Sequence, residues 1–313
     1  MTTLLVFHPD CTGHVTPAGH PERPARMGAV LDALSGPGFA ALLREEAPLA
    51  DRADLMRCHP AEWIDRLHAM MPDEGLVALD PDTHAGPGTW QAALRGAGAA
   101  CHAVDAVISG RARNAFAAVR PPGHHAERTR SMGFCLFGTV AIAAKRALDH
   151  HRLQRVAVVD FDVHHGNGTQ DLLWDEPRLR FVSSHQMPLW PGSGHPSETG
   201  AHGQIVNIPL PPGSGGAAMR RAYEAQVFPL LEDHAPELLL ISAGFDAHAA
   251  DPLAELNWDS ADYRWLTRRL CEIAGRHAGG RVVSVLEGGY DLQALAACVA
   301  AHVEELMEQP NHA

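Results

Sequence analysis

Apolar and polar positions along the chain follow two periods. Short runs rich in Val, Ile, Leu or Ala recur at residues 4–7, 114–119, 155–160, 181–185, 205–208, 238–243 and 281–286. Each is too short for a helix and apolar on both faces, as strands are in a sheet covered on both sides. Between them, helical spacing runs through residues 26–34, 60–70, 89–108 and 139–150, then through about 216–233, 259–277 and 291–308. The 89–108 segment carries small residues at Gly96, Ala97, Gly98, Ala99 and Ala100, which suits a helix packed closely on a sheet. Strands alternating with helices through one chain predict an α/β fold, a single-domain three-layer α/β/α sandwich with a mostly parallel central sheet. Residues 44–57 are too mixed to assign. Two polar loops, 8–24 and 80–88, are punctuated by proline and glycine.

Composition narrows this picture. The 313 residues are read as one catalytic domain, 1–313, ample for a large core. A formal net charge of −12 without any Lys/Arg run argues against nucleic acid, which needs a concentrated basic footprint, and favours neutral or cationic substrates. No signal-peptide pattern or membrane-length apolar stretch occurs, so a soluble, cytoplasmic protein is expected. Six cysteines without a Cys-x-x-Cys pair are read as free thiols, and most of the 21 histidines must be surface or core residues.

Four of the strand-like runs end in groups that bind or react: His124-His125, Asp160 to His164, Gly244-Phe245-Asp246 and Glu287-Gly288-Gly289-Tyr290. Parallel strands put these ends on one edge, where open α/β sheets bind ligands. In extended chain Asp160, Asp162 and His164 project from the same side, and Asp246 is the natural further ligand for a metal. One aspartate alone would be read as a helix cap. An Asp/His/Asp set leaves a position for water, the arrangement of catalytic zinc, although Fe(II), Co(II) or Mn(II) also suits such ligands. The favoured chemistry is hydrolysis. His124 and His125 would act as general base and acid, with Asp160 and Asn167 within reach as their partners, and the Tyr290 hydroxyl would stabilise an oxyanion.

Arg120-Pro-Pro-Gly-His-His-Ala126, Gly133-Phe-Cys135, Asp160-Phe-Asp-Val-His-His-Gly-Asn-Gly-Thr-Gln170, Ser242-Ala-Gly-Phe-Asp246 and Leu286-Glu-Gly-Gly-Tyr-Asp291 together resemble the zinc-dependent histone deacetylase family. They stand in that family's order and span nearly the whole chain. Asn167 and the Leu-Glu-Gly-Gly-Tyr form resemble class II members and bacterial histone-deacetylase-like amidohydrolases. The resemblance implies an arginase/deacetylase-like fold, zinc held by Asp162, His164 and Asp246, and an acid/base pair of His124 backed by Asp160 and His125 backed by Asn167. It implies that Tyr290 polarises the scissile carbonyl and that Gly133, Phe134 and Trp190 wall a tunnel for an aliphatic amine. It further implies a potassium ion at Asp160, Asp162, His164, Ser183 and Ser184, an acetate channel lined by Arg26 and a substrate contact at Asp82.

The expected reaction is removal of acetyl or another short acyl group, foremost from lysine side chains. Leu253 stands where polyamine-specific relatives carry an acidic gatekeeper, yet Asp80 and Asp82 keep acetylpolyamine hydrolysis open as the alternative. A binuclear manganese ureohydrolase is disfavoured by Gly166, two residues after His164. A non-catalytic acyl-lysine reader is disfavoured by the full catalytic set. The 8–24 loop is expected to gate the tunnel or form a subunit contact in a homo-oligomer.

Overall fold

The computed structural model describes residues 2–308, so Met1 and residues 309–313 of the expected domain lie outside the described residues. In chain order the strands are β1 Thr3–Phe7, β2 Leu43–Glu46, β3 Val77–Ala78, β4 His84–Ala85, β5 Asn114–Ala118, β6 Val156–Asp160, β7 Leu179–Gln186, β8 Ile205–Leu210, β9 Leu238–Ala243 and β10 Val282–Leu286. β3 and β4 form a small antiparallel hairpin. The other eight make one sheet ordered β2-β1-β5-β10-β9-β6-β7-β8, and every pairing in it is parallel.

β5, β6, β9 and β10 are buried at every position, so helices must cover both faces of the sheet where these strands lie. Ala25–Ala33 packs on Leu292–Met307, which packs on Ser260–His277, while Thr89–Ile108 packs on Thr139–Asp149. Asp259 starts Ser260–His277 with a capping box shared with Asp262, and Asp291 caps Leu292–Met307 through the amides of Gln293 and Ala294.

The segment that the pattern left unassigned contains β2, whose Leu-Arg-Glu-Glu sequence alternates half-buried and exposed positions. It is an edge strand, and charge there protects a free edge from unwanted pairing while hiding the strand from apolar periodicity. The expected helix at 216–233 is present but widens into a π-turn at Tyr223–Val227. Pro229 sits two residues beyond, lacks an amide for the carbonyl four residues back, and the wider turn accommodates it.

The strand order positions the chemistry. After β5 the chain passes to β6, runs outward through β7 and β8, and returns to lay β9 and β10 in between. The four strands that end in reactive groups, β5, β10, β9 and β6, are therefore the four adjacent central strands, and parallel pairing sets their carboxyl ends on one edge. All six cysteines are buried free thiols. Among the described residues no helix is long and apolar enough to cross a membrane.

Candidate active site

Beyond β6 and β9, Asp162, His164 and Asp246 each bring one ligand-type atom to within 4.8 Å of the others, and all three residues are buried. His164 Nδ1 lies 3.1 Å from Asp162 Oδ1 and 3.2 Å from Asp246 Oδ2. Backbone amides aim the carboxylates: Val163 N donates to Asp246 Oδ1 at 2.9 Å, and Gly288 N to Asp162 Oδ2 at 2.9 Å. Gly288 has to lack a side chain, because a Cβ there would stand 2.2 Å from Asp246 Oδ2. Burial, then the charge of Asp162, pushes Asp246 up to about 6. Burial opposes charge on His164, but Asp162 and Asp246 hold its pKa up at about 10. Two buried carboxylates and an imidazole short of positive charge are a donor set that fits a divalent cation.

The turn after β5 carries the two histidines with ring centroids 3.8 Å apart. Their Nδ1 atoms meet unlike partners: His124 faces the carboxylate of Asp160 at 3.0 Å, whereas His125 faces the amide oxygen of Asn167 at 2.8 Å. Asn167 is itself aimed by donating to Glu127 Oε1 at 2.8 Å. Burial disfavours charge on both rings. At His124 the carboxylates of Asp162 and Asp160 overcome burial and raise the pKa well above the ordinary value. At His125 burial wins, reinforced by His124 and His164, and the pKa falls well below it.

A cavity of about 170 Å³ reaches this floor, lined by Asp82, His125, Gly133, Phe134, His164, Leu189, Trp190, Leu253 and Tyr290. Every tunnel residue expected from the sequence is in that wall, and Leu189, beside Trp190, is an addition. Trp190 stands edge-on to His125 with centroids 4.6 Å apart, and Phe134 edge-on to Tyr290 at 5.9 Å. Gly133 adopts φ 56°, and a Cβ on it would strike both His125 and Trp190 at 2.5 Å. At the mouth Asp82 Oδ1 accepts from Thr83 Oγ1 at 2.9 Å and Gly133 N at 3.3 Å. Burial raises the Tyr290 pKa well above the ordinary phenol value, so its hydroxyl keeps a proton to donate.

The Histone deacetylase domain model matches residues 20–306. The chain belongs to the histone deacetylase family. It is 40% identical over 294 residues to a Histone deacetylase-like amidohydrolase of Pseudomonas aeruginosa, covering 92% of this chain and 77% of the relative. It is 38% identical over 330 residues to the human Polyamine deacetylase HDAC10, covering 99% of this chain and 49% of that longer protein. The solved HDA15 HD domain superposes with a TM-score of 0.91 at 31% identity, covering 99% of this chain and 90% of that one. The chemistry common to this family is that of deacetylases and amidohydrolases, and this chain's fold is the family's fold.

Behind the tunnel of this deacetylase-family chain lies a charge network that motif spacing does not reveal. Arg120 grips Glu22 with two bonds of 2.6 Å and donates to the carbonyls of Cys11 and His14 at 2.8 and 2.9 Å. The 8–24 loop, expected to gate the tunnel or form a subunit contact, is therefore tied to Arg120 at Cys11, His14 and Glu22. Arg26 donates to Glu22 Oε1 at 3.2 Å and to the carbonyls of Gly289 and Glu287 at 2.7 and 2.5 Å, with its guanidinium 5.0 Å from the Tyr290 ring centroid. Glu287 accepts from the amides of Gly123 and His124 at 2.6 and 3.1 Å, so it shapes the turn that presents the histidines.

His165, without an expected role, bonds Ser193 at 2.8 Å and Gln170 at 3.1 Å, tying the motif to the segment that carries Trp190. Ser183 stands beside Asp160 in the β6–β7 register. Its hydroxyl lies 3.0 Å from His185 Nδ1 and that of Ser184 2.7 Å from the Tyr223 hydroxyl.

Proposed function

We propose that the chain is a zinc-dependent amidohydrolase that removes acetyl or a similar short acyl group from an amine, foremost an acyl-lysine side chain. One observation carries this reading: two adjacent histidines with unlike partners lie against a three-ligand cluster at the floor of a narrow cavity lined by Tyr290. Asp162, His164 and Asp246 would hold the ion, which when bound supplies a Lewis acid that polarises an amide carbonyl and acidifies water.

The remaining steps belong to the chain's own groups. His125 donates Nδ1–H to Asn167, so its Nε2 carries a lone pair and takes a proton from the attacking water. His124, held against Asp160, keeps its proton and steadies negative charge as it develops. The Tyr290 hydroxyl donates to the carbonyl oxygen. As the C–N bond breaks, His125 returns its proton to the departing nitrogen, and the products, a carboxylic acid and an amine, exchange the acid proton to leave as carboxylate and ammonium. Phe134 and Trp190 exclude water from the stem of the amine. A potassium ion at Asp160, Asp162, His164, Ser183 and Ser184 belongs to the same proposal, supported by the adjacency of Asp160 and Ser183.

The second reading, acetylpolyamine hydrolysis, is favoured by one feature, the half-buried Asp82 carboxylate in the cavity wall, which would pair with a distal ammonium. Parallel assays of acetyl-lysine peptides, acetylputrescine and acetylspermidine decide between them. For the mechanism, Tyr290→Phe should leave metal content and melting unchanged and lower kcat on the order of 10²-fold or more, as loss of an oxyanion donor does. Undiminished turnover would remove Tyr290 from the reaction.

A further inference from the structure

Asp251 lies in the loop between Asp246 and Leu253, is 7% exposed, and is absent from every role discussed above. Its polar partners are backbone amides of two separate loops. Oδ2 accepts from Tyr290 N at 2.7 Å and, more weakly, from Asp291 N at 3.4 Å, while Oδ1 accepts from Leu253 N at 3.0 Å. Tyr290 follows Gly288 and Gly289, the second at φ 116°. Asp162 holds the Gly288 amide and Arg26 the Gly289 carbonyl, but the backbone of Tyr290 itself keeps its freedom unless its own amide is held. A carboxylate bonding the tyrosine's own amide removes that freedom at the position where it matters.

We infer that Asp251 is a positioning residue that holds the Tyr290 turn and the Leu253 wall in register with the cavity floor. The inference rests on the proposed role of Tyr290 as carbonyl donor. Burial, then the charge of Asp246, pushes the Asp251 carboxyl up to about 7, so its ionised form is held at a disadvantage to the fold.

The test uses the metal-loaded enzyme, with Asp251→Asn, whose amide nitrogen donates where the carboxylate accepted, and Asp251→Ala as a second variant. The substrate is the better of an acetyl-lysine peptide and acetylputrescine, together with its trifluoroacetyl counterpart, whose electron-poor carbonyl depends less on a hydroxyl donor. Metal content and melting should hold, KM should change little, and kcat on the acetyl substrate should fall about 10- to 100-fold, the scale of a misplacement near 1 Å. The loss on the trifluoroacetyl substrate should be smaller, and in a Tyr290→Phe background the Asp251 change should add almost nothing, because both act through one group. Full turnover in both variants, equal losses on the two substrates, or a multiplying loss in the Tyr290→Phe background would overturn the inference. Full activity in Tyr290→Phe alone would instead overturn the reading of Tyr290.

Discussion

Glu22 and Asp246 are both buried carboxylates, 0% and 1% exposed, and the molecule treats them in opposite ways. Burial would raise the pKa of Glu22, but the two bonds from Arg120 and the nearby His14 hold it well below the usual carboxylate range. Asp246 is pushed up to about 6, and Asp251 and Glu287 each to about 7, by burial together with neighbouring carboxylates. One region balances its anions with its own arginines and is thereby finished as structure. The other gathers anions that its histidines offset at Asp162 but not at Asp246. A buried charge deficit of this kind marks where a fold expects something positive from outside.

The comparison can be broken at three places. The largest effect is expected at Asp246→Asn, which should abolish metal uptake and lower deacetylation by at least about 10³-fold, judged by metal analysis and product release. In chelator-treated protein the same change relieves repulsion, so denaturant unfolding at neutral pH should show a gain on the order of 2 kcal/mol. A loss of stability there would contradict the deficit.

Glu22→Gln should do the reverse, destabilising by about 3–5 kcal/mol because Arg120 is left buried without its anion. The folded-state pKa of Glu22 is depressed, so its contribution is complete above the ordinary glutamate value and fades as pH falls through the folded value. The gap between variant and parent in denaturant titrations should therefore be constant from about pH 6 to 8 and narrow below about pH 4.5. A gap that widens in acid would reverse the assignment. The smallest effect belongs to Asp65→Asn. This carboxylate pairs with Arg52 at 2.7 Å but is exposed, and neither turnover nor the unfolding midpoint should move.

The parts of the fold and the site that the sequence makes legible are those written in short-range pattern. β6 and β9 were readable because a strand buried on both faces is written as an unbroken apolar run, and the site residues because they sit where such runs stop. β2 was hidden because Arg44, Glu45 and Glu46 are an edge strand's charges, indistinguishable from a loop's. Asp162, His164 and Asp246 could be gathered by reasoning about parallel strand ends. The partnership of Glu22 with Arg120 spans 98 residues and that of Asp251 with Tyr290 spans 39, and no period or spacing encodes either. A carboxylate whose partners are main-chain amides leaves no trace in the side-chain pattern.

The order in which the sheet is filled has a consequence for how the protein is made. β5 and β6 are synthesised early, yet the two strands that join them, β9 and β10, come from the last third of the chain. A nascent chain that has reached β8 holds Asp162 and His164 but not Asp246, and it carries two bare apolar strand edges facing a gap. Such edges invite pairing with the wrong neighbour until the missing strands arrive. Metal capture must therefore wait for the C-terminal third, and substitutions that slow insertion of β9 or β10 should lower the yield of soluble protein even when the finished molecule is fully active.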